Sequence, residues 1–190
     1  MEQNDKGKDM AIKDKEIYKG RTIKQVKGII KIFDSFFEKE KFQNIIEIGT
    51  GNGVFSTYFA DKAKSINSSF TTFDIRPINA KIKKELKDLN ANIFTCDINK
   101  NYHIEDIVLS EGRCLVLNDG GLKVPQFLRF SKLIKKDDII LTHDYYKNGK
   151  SIAGRIVIED VEDCIKDNDL EIIHEQMFDK FLWLCVIKGN

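Results

Sequence analysis

Several familiar frameworks are missing from this 190-residue chain. Its four cysteines, Cys96, Cys114, Cys164 and Cys185, stand far apart with no metal or redox spacing, and three lie in apolar runs. That excludes a disulfide scaffold and is expected of reduced, mostly buried thiols in a cytoplasmic protein. An excess of one charge is also lacking, since 31 Lys and Arg face 30 Asp and Glu for a formal net charge of +1. No global basic field then argues for nucleic acid or a membrane surface. Lys81, Lys83, Lys84 and Lys87 share a predicted helix with Glu85 and Asp88 and read as a solvated face. No apolar run is long enough for a membrane span, and residues 1–20 are polar and charged, so neither a signal peptide nor a membrane span is expected. That segment is expected to be mobile or to act as a flap. Internal repeats and low-complexity tracts are absent, and His103 and His174 have no acid or cysteine at ligand spacing. What is present is a composition 42% hydrophobic, which fills one α/β core without staples, so residues 21–190 are read as a single domain.

The strongest signal is the run Ile45-Ile46-Glu47-Ile48-Gly49-Thr50-Gly51-Asn52-Gly53-Val54-Phe55. An apolar strand enters three alternating glycines and leaves directly into a helix. Glycines there let the backbone turn sharply and let a ligand approach the main chain where a Cβ would collide. A dinucleotide fingerprint requires its third glycine three positions after the second. Val54 occupies that position, and Gly53 comes one residue early.

Periodicity then predicts a helix from Val54 to about Lys64, a strand over 69–73 ending on Asp74, and a strand over 91–95 ending at Cys96-Asp97-Ile98. Asp97 also reads as an N-cap for a helix starting near Tyr102. A fourth strand, 113–117, runs into Asn118-Asp119-Gly120-Gly121. A helix over 124–136, a fifth strand over 138–141 and a helix over 151–166 follow. Strands over 170–178 and 181–188, separated only by Asp179-Lys180, have hairpin spacing. Upstream, 21–41 reads as a helix with Ile29, Ile30, Phe33, Phe36 and Phe37 on one face. That stripe suits the core and leaves open a contact between copies of the chain.

The form EIGTGNG, with an acid two residues before the first glycine, resembles motif I of the class I S-adenosylmethionine-dependent methyltransferases. The terminal antiparallel pair agrees with it. The resemblance covers residue 40 to the C-terminus and implies a Rossmann-like α/β fold, a seven-stranded mostly parallel sheet with a C-terminal antiparallel hairpin. It implies that S-adenosylmethionine is held by Glu47, Gly49, Thr50, Gly51 and Gly53 of the loop, by Asp74 and Ile75, by Asp97 and Ile98, and by Asp119. Asp74, some twenty to twenty-five residues past the first glycine, is placed to accept hydrogen bonds from two ribose hydroxyls. In the family the residue matching Ile75 packs on adenine, and the one matching Asp97 meets the adenine amino group.

Ligands of open α/β sheets bind beyond the carboxyl ends of the strands. Strand four offers Asp119 there, and strand five offers His143-Asp144-Tyr145. Two acids and an imidazole suit a divalent cation such as magnesium or manganese, with iron or zinc admitted by the imidazole. The two carboxylates have no obvious basic partner, which strengthens the expectation of a cation. The arrangement is similar to the catechol-type metal-dependent O-methyltransferases, and closer to sugar O-methyltransferases of macrolide biosynthesis and their cephalosporin-hydroxylase-like relatives. This chain departs from the latter twice: His143 replaces their Glu, and no histidine follows Asp119 where they place a general base. Lys123 is the nearest proton acceptor, so Asp119, Lys123 and His143 are the candidate catalytic residues.

By this resemblance the chain is expected to methylate a hydroxyl of a small, sugar-like molecule. Nucleic acid is not expected as a partner. Nucleobase amino methyltransferases follow their strand-four Asn or Asp with two prolines and an aromatic, whereas glycines follow here. Three alternatives stay open: a metal-free methyltransferase in which the same residues hold the substrate by hydrogen bonds, a non-catalytic cofactor-binding subunit, and a nicotinamide dehydrogenase, which Val54 and the terminal hairpin oppose.

Overall fold

The structure, a computed structural model, describes residues 15–100 and 103–190. Most of the segment expected to be mobile, and Tyr102, therefore lie outside the described residues. A two-stranded hairpin, β1 (Lys15–Tyr18) and β2 (Arg21–Val26), precedes a seven-stranded sheet. The sheet strands are β3 (Asn44–Ile48), β4 (Ser69–Asp74), β5 (Asn92–Thr95), β6 (Cys114–Asn118), β7 (Ile139–His143), β8 (Leu170–Ile172) and β9 (Trp183–Lys188), in the order β5-β4-β3-β6-β7-β9-β8. Strands β3 to β7 are mutually parallel, and β9 runs antiparallel to both β7 and β8.

Strands β3, β6 and β7 are nearly continuous apolar runs because they are covered on both faces. Alternate residues feed two different cores. Ile45, Leu115, Leu117, Ile139 and Leu141 pack under the helices α1 (Ile29–Lys39) and α2 (Val54–Ser65). Ile46, Val116, Ile140 and Ile48 face Phe127 and Phe130 of α5 (Lys123–Phe130) and Ile104 and Val108 of α4 (His103–Val108). Two helices, α3 (Ala80–Asp88) and α6 (Glu162–Asp167), flank the sheet further out, and the short α7 (Glu175–Phe178) precedes β9. The α1 stripe is buried within the chain: Phe33 meets the rings of Phe55, Phe59, Phe178 and Trp183 edge-on at centroid distances of 5.0–5.6 Å, so its apolar area is not on offer to a second copy.

Residues 15–20, read as part of a segment that is mobile or acts as a flap, form β1 and a turn. Three expectations need correction, and the first is the helix expected over 21–41, which begins only at Ile29. Arg21-Thr22-Ile23-Lys24-Gln25-Val26 alternates in burial with Ile23 and Gln25 inward, a period of two that suits a strand. The helix expected over 151–166 is mostly irregular chain: a turn at 153–154, an isolated bridge from Ile156 to Tyr145 and a 3-10 turn over Ile158–Asp160 precede the only α-helical part, Glu162–Asp167. The terminal pair does form, with Ile172 opposite Val186 and Leu170 opposite Lys188. It is joined by α7 and a 3-10 turn over Asp179–Phe181, not by a two-residue turn. Among the described residues no helix is long and apolar enough to cross a membrane.

Candidate active site

The chain runs outward from β3 to β4 and β5 on one side, and through β6 and β7 on the other. Strands β3 and β6 therefore bracket a switch point, the place where open α/β sheets bind ligands. The glycine loop follows β3. Gly49 adopts φ +99°, and a Cβ there would stand 2.4 Å from the Asp119 carbonyl oxygen, so the close pass of the β3 and β6 tips requires glycine. Gly51 is different. Its φ is +56° and a Cβ would meet nothing within 4 Å, leaving open space in front of the main chain. Gly53, the N-cap of α2 at φ +74°, is a packing glycine, because a Cβ would stand 2.3 Å from Ile82 Cγ2 of α3.

In front of this loop lies a cleft of about 320 Å³, lined by Gly49, Gly51, Asp74, Ile75, Asp97, Ile98 and Asp119 among others. Seven of the ten residues assigned to the cofactor are thus brought together; Glu47, Thr50 and Gly53 are not part of its lining. Asp74 accepts hydrogen bonds from the Gly51 amide (2.8 Å, Oδ2) and the Arg76 amide (2.8 Å, Oδ1), which fixes the carboxylate while leaving lone pairs toward the cleft. Ile75 and Leu122 are large apolar side chains more than half exposed, and both line the cleft. Exposed apolar surface beside polar groups suits a flat, partly apolar ligand. Asp97, read as a possible cap for a helix near Tyr102, instead accepts from the Asn99 amide at 3.0 Å at the start of a 3-10 turn over Ile98–Lys100, ahead of α4.

Glu47 supports the loop from beneath. It is buried at the centre of the sheet, where its Oε2 accepts from the hydroxyls of Ser56 (2.5 Å) on α2 and Thr72 (2.6 Å) on β4. Thr50 joins through its hydroxyl, 2.6 Å from that of Thr72. Burial drives the Glu47 carboxyl up to about 8, with the charges of Asp119 and Asp74 adding to the rise, although the two hydroxyls oppose it.

A second hollow of about 320 Å³ adjoins the cleft and shares Gly49, Gly51 and Asp119 with it. Its other walls include Ile23 and Gln25 of β2, Phe55 of α2, and His143 and Asp144 at the β7 tip. Asp119, His143 and Asp144 each present one possible ligand atom, and these atoms lie within 4.8 Å of one another. His143 Nδ1 is 2.9 Å from Asp119 Oδ1 and 3.6 Å from Asp144 Oδ2. The imidazole leans on Trp183, ring centroids 4.8 Å apart, and Asp144 takes a left-handed φ of +58° that turns the chain beyond β7.

The carboxylates do have a basic partner, contrary to the reading of the sequence. Lys123, at the start of α5 and buried, places Nζ 2.9 Å from Asp144 Oδ2, 3.5 Å from Asp119 Oδ1 and 2.8 Å from the Gly120 carbonyl. Its ammonium donates to the Gly120 carbonyl and forms ion pairs with both carboxylates, and a proton-accepting role requires those contacts to be given up. Gln25 was missed altogether, because its segment was read as a helix. Its Nε2 donates to Asp119 Oδ2 at 3.1 Å and lies 3.4 Å from His143 Nδ1. The alternation of β2 was the signal that could have placed it. His174, read as a bystander, pairs with Glu40 at 2.8 Å and lines neither hollow.

Sheet order, glycine loop and the acid at the β4 tip together define the fold of class I S-adenosylmethionine-dependent methyltransferases. Solved structures bear this out. The chain is similar to the CmcI-N160 apo-structure, with a TM-score of 0.66 and 11% identity over 92% of this chain and 76% of that one. It is similar to the structure described as cmcI-D160 Mg-SAM, at 0.61 and 12% over 91% and 76%. A third likeness is to the plantazolicin methyltransferase BpumL in complex with SAH, at 0.53 and 14% over 85% and 82%. No protein-family model and no curated protein matches the chain.

Proposed function

We propose that the chain is an S-adenosylmethionine-dependent methyltransferase that methylates an oxygen of a small hydroxylated, sugar-like molecule. The observation that carries this reading is the junction of two hollows at Asp119: a cleft with the glycine loop and Asp74 on one side, a polar hollow under β2 on the other. A donor in the first and an acceptor in the second meet at one wall. S-adenosylmethionine supplies a methyl group already activated as a sulfonium. The residues of this chain need only align an acceptor oxygen behind that methyl, exclude water and take the hydroxyl proton as the new C–O bond replaces the C–S bond. Alignment alone supplies several kcal/mol in well-oriented systems. Gly49 and Gly51 let the donor approach the main chain, Asp74 holds the ribose, and Asp119 with His143 faces the acceptor.

Asp119, His143 and Asp144 fit a divalent cation in chemistry and in span, two carboxylates and one imidazole within 4.8 Å. A cation bound there would lower the pKa of a hydroxyl beside it and orient that hydroxyl. The structure described as cmcI-D160 Mg-SAM shows magnesium and S-adenosylmethionine in a protein of similar fold. A second reading is favoured by Lys123, whose ammonium already neutralises Asp119 and Asp144 and serves as an internal cation in a metal-free site.

Titration of the purified protein with manganese, followed by calorimetry and electron paramagnetic resonance, separates the two. The metal reading expects one bound ion that is lost in Asp119→Asn, and methyl transfer to a panel of hydroxylated small molecules that chelator abolishes while cofactor affinity holds. His143→Glu should retain the ion better than His143→Ala, since a carboxylate replaces the lost ligand. Full transfer in chelator, with no manganese bound, leaves the metal-free version. The methyltransferase reading itself falls if neither S-adenosylmethionine nor S-adenosylhomocysteine binds, or if NAD binds in preference.

A further inference from the structure

Lys24 and Asn52 each line two hollows: the one that contains Asp119, His143 and Asp144, and a third, of about 580 Å³, along the β1–β2 hairpin. The two hollows therefore adjoin at these residues. Asn52, on the glycine loop, donates from Nδ2 to the Thr22 carbonyl at 3.3 Å and ties the loop to β2 there. The walls of the third hollow carry the ammonium groups of Lys15 on β1, Lys24 on β2 and Lys27 in the turn before α1. Strand register gathers them. Lys15 stands opposite Val26, the neighbour of Lys27 in the chain, and Lys24 lies two residues from Val26 on the same face of β2. All three are exposed, and among the described residues none is ion-paired with a carboxylate, whereas Lys19 and Arg21 of the same hairpin pair with Asp61 and Glu85. The one acid in these walls, Glu16, is engaged by backbone: its Oε1 accepts from the Ile17 amide at 3.0 Å and its Oε2 from the Gly28 amide at 2.7 Å.

We propose that Lys15, Lys24 and Lys27 form an anion subsite for the methyl acceptor and bind a phosphate ester that the acceptor carries away from its reacting hydroxyl. The acceptor class is then a phosphorylated small hydroxylated molecule. A hollow lined by charges of one sign concentrates its field and draws in the opposite sign. No arginine lines this one, so the planar fork is lacking, and three separate point charges suit a tetrahedral phosphate with three acceptor oxygens and nearly two negative charges. The cluster is a single spot on a chain of formal net charge +1, which fits one phosphate and not the run of phosphates along a nucleic acid. Lysines of an ordinary solvated face look different: Lys81, Lys83 and Lys84 of α3 stand beside Glu85 and Asp88 and line none of the three hollows. This inference rests on the methyl-transfer reading above for what the phosphate is attached to, and on the hairpin alone for the anion site.

The test uses the full chain labelled with nitrogen-15, with and without S-adenosylhomocysteine, at about 150 mM chloride, where screening leaves only contacts within about 8 Å. Inorganic phosphate, glucose 6-phosphate, glucose and acetate are titrated in turn. The two phosphates should shift the amides of 15–17, 22–27 and Asn52 saturably, while glucose and acetate should not. Replacing all three residues, Lys15→Gln with Lys24→Gln and Lys27→Gln, should weaken phosphate binding by at least about tenfold, at several-fold per exposed ion pair. The same charge removed from α3, by Lys81→Gln with Lys83→Gln and Lys84→Gln, should leave that affinity and the fold unchanged. In transfer assays on matched pairs of free and phosphorylated sugars and polyols, the phosphorylated members should be methylated in preference, and the hairpin triple variant should raise KM with kcat held. Absence of saturable shifts at these amides, an equal response to acetate, or equal losses in the two triple variants overturns the anion subsite. Transfer to the free members in preference, or to none of the phosphorylated ones, overturns the acceptor class. Wild-type protein that binds phosphate at these amides but neither S-adenosylmethionine nor S-adenosylhomocysteine keeps the anion site and condemns the methyltransferase reading.

Discussion

At the scale of single residues, Gly51 and Gly53, two positions apart, should fail in different ways. Gly51 faces open space, so Gly51→Val places a branched side chain in the cleft proposed for the cofactor; a β-branched residue at φ +56° adds about 1–2 kcal/mol of strain. Calorimetry should show loss of S-adenosylmethionine binding with a melting temperature only modestly lowered. Gly53→Ala instead drives a methyl into Ile82 and should cost stability first, through the α2 and α3 packing. Glu47 makes a prediction in pH. Its carboxyl is raised to about 8 from an ordinary 4.5, so the folded state holds a proton that the unfolded chain has lost between those values. Stability from this group is complete below about pH 4.5 and declines as pH rises through 8, by up to about 1.4 kcal/mol per unit. Glu47→Gln, always neutral, should flatten that decline. Urea unfolding of both proteins from pH 5 to 9 measures it, and parallel slopes would contradict the burial argument.

Among the elements, the β1–β2 hairpin matters most, because its strand β2 lines the hollow proposed for the acceptor through Ile23 and Gln25. It is tied down by side chains: Tyr18 and Lys19 reach Asp61 of α2, and Arg21 reaches Glu85 of α3 at 2.8 Å. Tyr18→Phe combined with Arg21→Ala should loosen it, with faster hydrogen exchange at the amides of 15–26, a raised KM for the acceptor and cofactor affinity little changed. Surface ion pairs contribute little to global stability, so the denaturant midpoint should move by about 1 kcal/mol or less. Unchanged exchange would show that Ile23 burial alone holds the hairpin. The hairpin was also the element least legible in the sequence. Strands β3 to β7 were readable because apolar runs bounded by Gly, Asp and Asn have few other uses, and the glycine loop because its spacing is chemically specific. The hairpin was not, because Ile23 and Gln25 offer one apolar and one polar inward residue, and the strong helical stripe of α1 begins only a few residues later. Likewise Leu170–Lys188 was readable as an antiparallel pair, but not its connection, since a left-handed His174 and Leu182 set the turns there and only tertiary packing selects them. Of the candidate site, the acids at the strand tips were evident from position, whereas Lys123 as their counter-ion depends on a helix start folding back over Gly120.

For the whole molecule, size and charge limit what the acceptor can be. The hollow proposed for the acceptor is about 320 Å³, the scale of a small-molecule site, and β2 forms one of its walls. A formal net charge of +1 spreads no attractive field over the surface for a polyanion. A base within a duplex would have to be flipped into this hollow, and its walls present two carboxylates, an imidazole, two amides and Lys24, with Phe55 as the sole aromatic carbocycle for stacking among the described residues that line it. The expected outcome is methyl transfer to free hydroxylated molecules, insensitive to added DNA or RNA. A protein that binds nucleic acid through phosphates loses affinity steeply with salt, because each neutralised phosphate releases counterions. Fluorescence anisotropy with labelled duplex and single strands from 50 to 200 mM salt, roughly the span over which that loss is diagnostic, should show no tight complex at the upper end. Tight retention there, together with mass-spectrometric detection of a methylated base, would replace the small-molecule acceptor with nucleic acid and leave the fold and the cofactor cleft as described.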